Sequence, residues 1–231
     1  MTTGDGQSHA RPRDTDETPF ATLLADLLAR VPGAIGAVLV DGEGECVDYT
    51  GHVDPFELKV AGAYFTIVLS AAAARPLPVG TLRTFHLRAA KRSFLVHVLP
   101  ESYALILLLR HRAAFMASAR AITLCERALA KEAGWQAPDG PSWHPVRVDC
   151  VARRPVRIAA EPSSGPRSRA RGSSTPRAHA VEVMGSLVLA DARERGYRVR
   201  LDTGAELTIV REAGGRWYAD EVMSSATARD A

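Results

Sequence analysis

The chain of 231 residues is 46% hydrophobic and 24% charged, with a net charge of +3. This composition suits one or two globular domains and excludes wholesale disorder, collagen-like and coiled-coil classes. A charge this small does not by itself argue for nucleic acid. Arginine dominates the 29 cationic residues, Lys59, Lys91 and Lys131 being the lysines, and Cys46, Cys125 and Cys150 are widely spaced with no Cys-x-x-Cys. Neither a disulfide framework nor a zinc site is therefore expected, no cofactor is implied, and the reducing cytoplasm is the expected location.

Residues 1–18 lack the apolar core of a signal peptide and read as a disordered tail. Phe20, Leu23, Leu24, Leu27, Leu28 and Val31 then recur at helical spacing after Thr18-Pro19, which predicts an amphipathic helix ended by Pro32-Gly33. The continuous apolar run Ala34–Val40 predicts a strand buried on both faces. The Asp41–Gly44 turn signal then returns the chain as a strand over Glu45–Thr50.

Asp54-Pro55-Phe56-Glu57 has a cap, a proline suited to the first helical position, and capping-box spacing to Glu57. The helix it opens runs to about Ala74 and carries no charge beyond Lys59. A helix that is apolar nearly all round needs cover on more than one side, and one sheet covers one side. Val60–Ala74 falls short of the roughly 20 residues that span a bilayer, so no membrane span is expected.

Thr81–Ala89, Ser93–Leu99 and Tyr103–Leu109 predict a meander, the first an edge strand because its residues alternate and the last internal because both its faces are apolar. If its turn is centred at Ala90-Lys91, His97 pairs with Thr84. Ala113–Ala133 predicts a helix with Phe115, Ile122, Cys125 and Leu129 on one face, Cys125 being a small core residue. The order so far is α-β-β-α-β-β-β-α. GWQAPDGPSWHP follows as a linker, placed at 135–142.

Residues 143–160 and the runs Val181–Leu189, Tyr197–Leu201, Ala205–Val210 and Arg216–Ala219 predict short strands. Turns are placed at Arg195-Gly196, Asp202–Gly204 and Gly214-Gly215, giving a small barrel or curled sheet of five or six strands over 143–222. Within it, 162–178 reads as a flexible basic loop in which Arg167, Arg169, Arg171 and Arg177 are candidate partner contacts. Residues 223–231 read as a second disordered tail. From Pro141 onward 15 arginines face 11 acids.

The stretch VPGAIGAVLVDGEGECVDYTG, followed by the DPFEL helix start, resembles the roadblock/LC7 family. Pro32, Gly33, Gly36, Ala37, Val40, Asp41 and Gly44 match its PG-x-x-G-A-x-x-V-D-x-x-G signature, and the resemblance covers about residues 19–134. It implies an α/β sandwich: a five-stranded antiparallel sheet with the second helix on one face and the first and third on the other. It also implies pairing of two copies through the second helix and third strand. Members act as dimeric platforms for small Ras-like GTPases, and some bacterial ones stimulate hydrolysis without donating an arginine.

On that reading Phe56, Val60, Tyr64, Ile67, Val68, Leu82, Thr84 and His86 are the candidate dimer contacts. The charge-free helix is an independent reason for pairing, because an exposed apolar patch usually marks an interface. The C-terminal run GYRVRLDTGAELTIVREAGGRWYADEV resembles a small β-domain of bacterial proteins with no known activity, and a second protein partner is the expected role for it.

Enzyme chemistry is not expected. No G-x-x-x-x-G-K-[ST] occurs, Gly42 and Gly44 belong to a hairpin turn, and no nucleophile–base or paired-carboxylate set can be assembled. His86 and His97 lie on adjacent strands without further ligands. Arg83, Arg88, Arg92, Arg110 and Arg112 read as solvated residues, not as arginine fingers. Two other classes compete. One is a ligand-sensing module of the PAS or GAF type, disfavoured by the apolar second helix and the lack of any polar-lined cavity in the pattern. The other is a nucleic-acid adaptor using the basic loop with Trp217 and Tyr218, although Trp217 reads better as core.

Overall fold

In the computed structural model, which describes residues 18–74, 82–113, 118–140, 142–161, 177–189 and 193–221, the first helix, α1 (Pro19–Arg30), starts where Thr18 accepts a bond from the Phe20 N–H. Thr18 also donates to the carboxylate of buried Asp48. Val31 leaves the helix in extended geometry, and Gly33, at φ 81°, turns the chain into the sheet. The strands β1 (Ala34–Val40), β2 (Cys46–Gly51), β3 (Thr84–Arg88), β4 (Ser93–Val98) and β5 (Ala104–Leu109) pair antiparallel in the order β2-β1-β5-β4-β3. Every residue of β5 is buried, and β3 is an outer strand, as its alternation predicts. Thr84 does pair with His97.

The helix α2 (Pro55–Ala73) seats Leu58, Ala61 and Phe65 on Val38, Val40, Val96, Ile106 and Leu108. The other face of the sheet carries Ala37, Leu39, Leu95, Leu105 and Leu107, all fully buried, with α1 packed over β1 and β2. This is the α-β-β-α-β-β-β-α sandwich that the resemblance implies. The next helix, α3, covers Ala119–Ala133 and so begins six residues later than the periodicity predicts. Ala113 instead accepts a bond from Arg88 while its own N–H bonds to the Arg110 carbonyl, which holds it in a turn. Phe115 lies outside the described residues.

Two units divide the chain: Met1–Ala117 with Ala128–Ala137, and Ser118–Arg127 with Pro138–Ala231. In the second, β6 (His144–Val151), β7 (Arg154–Ala160), β8 (His179–Leu187), β9 (Arg195–Leu201), β10 (Glu206–Arg211) and β11 (Trp217–Ala219) close a barrel in the order β10-β11-β6-β7-β8-β9. Val146, Ile158, Val199, Leu207 and Ile209 fill it. Outside the barrel wall, Tyr218 is fully buried and its hydroxyl meets Ser118 Oγ at 3.1 Å. Arg120 bonds Glu194 at 2.8 Å and Glu212 at 3.3 Å while lying over the Trp143 ring.

One expected turn is absent, and one turn occurs where none was placed. Arg195-Gly196 begins β9 instead of turning; Gly196 is there for close approach, since a β-carbon would stand 3.0 Å from Leu187 Cβ. The β6–β7 hairpin turns on Ala152 and Arg153, both at positive φ (46° and 66°), without the Asn-Gly or Asp-Gly that normally signals such a turn. The tails 1–17 and 222–231, and most of the basic loop, including Arg167, Arg169 and Arg171, lie outside the described residues.

One barrel contact has a pH consequence. Asp202 bonds His179 at 2.8 Å and accepts from the Ala180 N–H, and these bonds hold its carboxyl below the ordinary 3.8. A carboxyl depressed in the folded state stabilises it above the unfolded value and loses that contribution as pH falls through the folded value. Thermal melts should therefore show stability declining as pH drops below about 4, with the decline shallower in Asp202→Asn.

Candidate functional site

The N-terminus of α2 explains how its outer face is held. Asp54 accepts from the Phe56 N–H at 3.0 Å and Pro55 occupies the first turn. Glu57 does not complete the predicted capping box. It forms a two-point pair with Arg92, 2.7 Å from Nε and 3.2 Å from Nη2, because a charged bidentate partner outcompetes one backbone N–H. This pair raises the Arg92 pKa further and ties the β3–β4 turn to the start of α2. Both side chains are about one-third exposed, so the pair itself contributes less than about 1 kcal/mol; its effect is positional.

Close backbone packing sets the depth of the helix. Gly62 faces Val40, whose Cγ1 would lie 2.5 Å from a β-carbon at that position. With this side sunk into the sheet, the opposite side presents Phe56 (73% exposed), Val60 (50%), Tyr64 (58%) and Ile67 (70%), a continuous stripe at helical spacing. The exposed Ala63, Ser70 and Ala71 beside it are small. Sequence reading left these three out because nothing but the burial of their neighbours reveals which side they face. Val68 is different: it is partly buried against the sheet core.

The third-strand candidates divide from the helix candidates. Thr84 and His86 stand opposite His97 and Leu95 and, by strand alternation, share the face away from α2; Thr84 Oγ1 meets His97 Nδ1 at 2.6 Å. Leu82 precedes the strand and is partly buried. The residue that links β3 to α2 is Phe85, whose ring lies 5.9 Å from Phe65. No strand among the described residues pairs with the outer side of β3. That edge and the α2 stripe both belong to the first unit.

By length and composition α2, with mean hydropathy 1.4, would suffice to cross a bilayer. Its Leu58 and Phe65 are instead buried on the sheet, the arrangement of a core helix. Among the described residues no group of three or more histidine, cysteine or acidic side chains is placed to hold a metal ion. Of the four candidate arginines of the basic loop, Arg177 alone is described, and it is exposed. Trp217 is partly buried at the end of the barrel, where it borders a cavity of about 810 Å³ whose twelve lining residues include five arginines. The sequence reading anticipated no polar-lined cavity; the only signal was arginine at the ends of alternating strands.

No protein-family model matches the sequence, and no curated protein matches it. Solved structures do resemble it. A roadblock/LC7 domain from Streptomyces avermitilis shares 19% identity over 49% of this chain and 97% of its own, with a TM-score of 0.44. MglB of Myxococcus xanthus shares 15% over 51% and 98%, TM-score 0.43, and the gliding protein MglB from Thermus thermophilus shares 18% over 52% and 94%, TM-score 0.44. The similarity covers about half of the chain.

Proposed function

We propose that the chain is a non-enzymatic, homodimeric regulator or scaffold that binds a small Ras-like GTPase and biases its nucleotide cycle. The observation that carries the pairing is the α2 stripe, four large apolar side chains facing outward from a helix whose other side is already seated. Full burial contributes about 1.5–3 kcal/mol per side chain, so covering these half to three-quarters exposed groups contributes roughly 4–8 kcal/mol per subunit. A second copy suits this surface: the stripe is self-complementary, and β3 lets two sheets continue across a two-fold axis.

The GTPase partner rests on the family resemblance of residues 19–134. Its switch segments change order with nucleotide state, so a surface that holds one order shifts the cycle without supplying a catalytic group. We place the protein in the cytoplasm and assign the barrel over 143–222 a second protein contact, with 135–142 as linker. The test is retention by the immobilised full chain of small GTPases from cell extract loaded with GDP or a non-hydrolysable GTP analogue. Retention that depends on the nucleotide supports the reading. Equal retention, or none, overturns it.

A further inference from the structure

We infer that the open mouth of the barrel binds a polyphosphorylated small molecule bearing a planar ring, the chemical class of a nucleoside diphosphate. The barrel interior is apolar along β9 and β10, where Val199, Leu207 and Ile209 point inward. In the same alternation phase stand Arg211, two residues beyond Ile209 on β10, and Arg195, four residues before Val199 on β9. They are direct register partners, and like charges placed opposite each other on paired strands repel. An anion between them converts that repulsion into two charge-assisted contacts.

Three more arginines border the same cavity of about 810 Å³: Arg147, Arg153 and Arg216. Glu161 is the acid on its wall, and it lies 3.8 Å from Arg216. Arg147, Arg153, Arg195 and Arg211 have no ion pair among the described residues. By contrast, Arg120, Arg198 and Arg200 of this unit are each within 4 Å of two carboxylates. Five guanidinium groups and one carboxylate therefore share this cavity. Arg153 also occupies a left-handed backbone conformation that costs a non-glycine residue energy.

The ring requirement comes from Trp217 and Tyr197, which border the cavity with ring centroids 6.1 Å apart and planes tilted by 32°. The volume falls within the range of small-molecule sites, and barrel mouths are a common place for them. A bounded cavity with two aromatic residues suits one base better than a strand, which needs a groove with successive stacking platforms.

The test uses the full chain titrated calorimetrically with ADP, inorganic pyrophosphate and a thymidine oligonucleotide of about ten residues. ADP should bind one to one, with pyrophosphate about tenfold weaker because it lacks the ring. Arg195→Gln or Arg211→Gln should weaken ADP about tenfold or more, and Trp217→Leu should bring ADP down to the pyrophosphate level. Should these variants fail to fold, the unaltered protein supplies a second readout. Cys150 borders the cavity and is exposed, whereas Cys46 is partly buried and Cys125 buried. ADP should slow modification of Cys150 by N-ethylmaleimide, located by peptide mass. Absence of both binding and protection, pyrophosphate binding as tightly as ADP, or tighter binding of the oligonucleotide would each overturn the inference.

Discussion

Ile67→Glu should convert the proposed dimer to a monomer while leaving each subunit folded. Ile67 is 70% exposed in the single subunit, so the substitution should change monomer stability by no more than about 0.5 kcal/mol. In the proposed pair, two carboxylates would be forced into a seam formed by the apolar stripe. Even about 3 kcal/mol of desolvation cost weakens association more than a hundredfold. Sedimentation equilibrium of the full chain checks this, with circular dichroism confirming the fold. Tyr64→Glu should behave alike. Val68→Glu should not: that side chain is partly buried on its own sheet, so the change should lower the melting temperature of the subunit itself. Wild-type protein that sediments as a monomer at high micromolar concentration would remove the basis of the proposed pairing.

The second large effect is expected at Gly51. This residue ends β2 opposite Gly36 of β1 and has φ 139°, a conformation that residues with a β-carbon rarely adopt. A β-carbon there would lie 2.5 Å from both Gly36 Cα and the Ile35 carbonyl oxygen. Backbone atoms cannot swing aside as a side chain does, so the strands must separate where β1 is also paired with β5. Strain and overpacking together predict that Gly51→Ala costs about 2–5 kcal/mol, enough to unfold much of a marginally stable domain. Urea denaturation measures it. Gly134→Ala is the comparison: its φ is also positive, at 73°, but a β-carbon there would meet no atom within 4 Å. Its cost should be confined to the backbone conformation, at about 1 kcal/mol.

Gly36 shows how a signature residue can be visible without its reason. Its place in the PG-x-x-G-A pattern identifies it in the sequence. The structure supplies the cause: a β-carbon would stand 2.8 Å from Val53 Cγ2 and 2.9 Å from Leu58 Cδ2, blocking the approach of α2. Phe85 shows the opposite case. In the sequence it is one apolar residue on a half-exposed strand, and only packing against Phe65 makes it the bridge from β3 to the helix.

Local pattern alone determined the caps of the first two helices, the burial of β5, the Thr84–His97 register and the charge-free character of α2, because each depends on residues close in sequence or on strict alternation. Tertiary structure alone decided which side of α2 faces outward, because an apolar helix carries no polar face to mark it; that choice came from Gly62 sinking against Val40. It also decided that Glu57 pairs with Arg92, 35 residues away, instead of capping its own helix. And it set Arg147 and Arg153 of the β6–β7 hairpin beside Arg195, Arg211 and Arg216 around one barrel mouth, since the pairing of β11 with β6, not sequence proximity, makes the two groups neighbours.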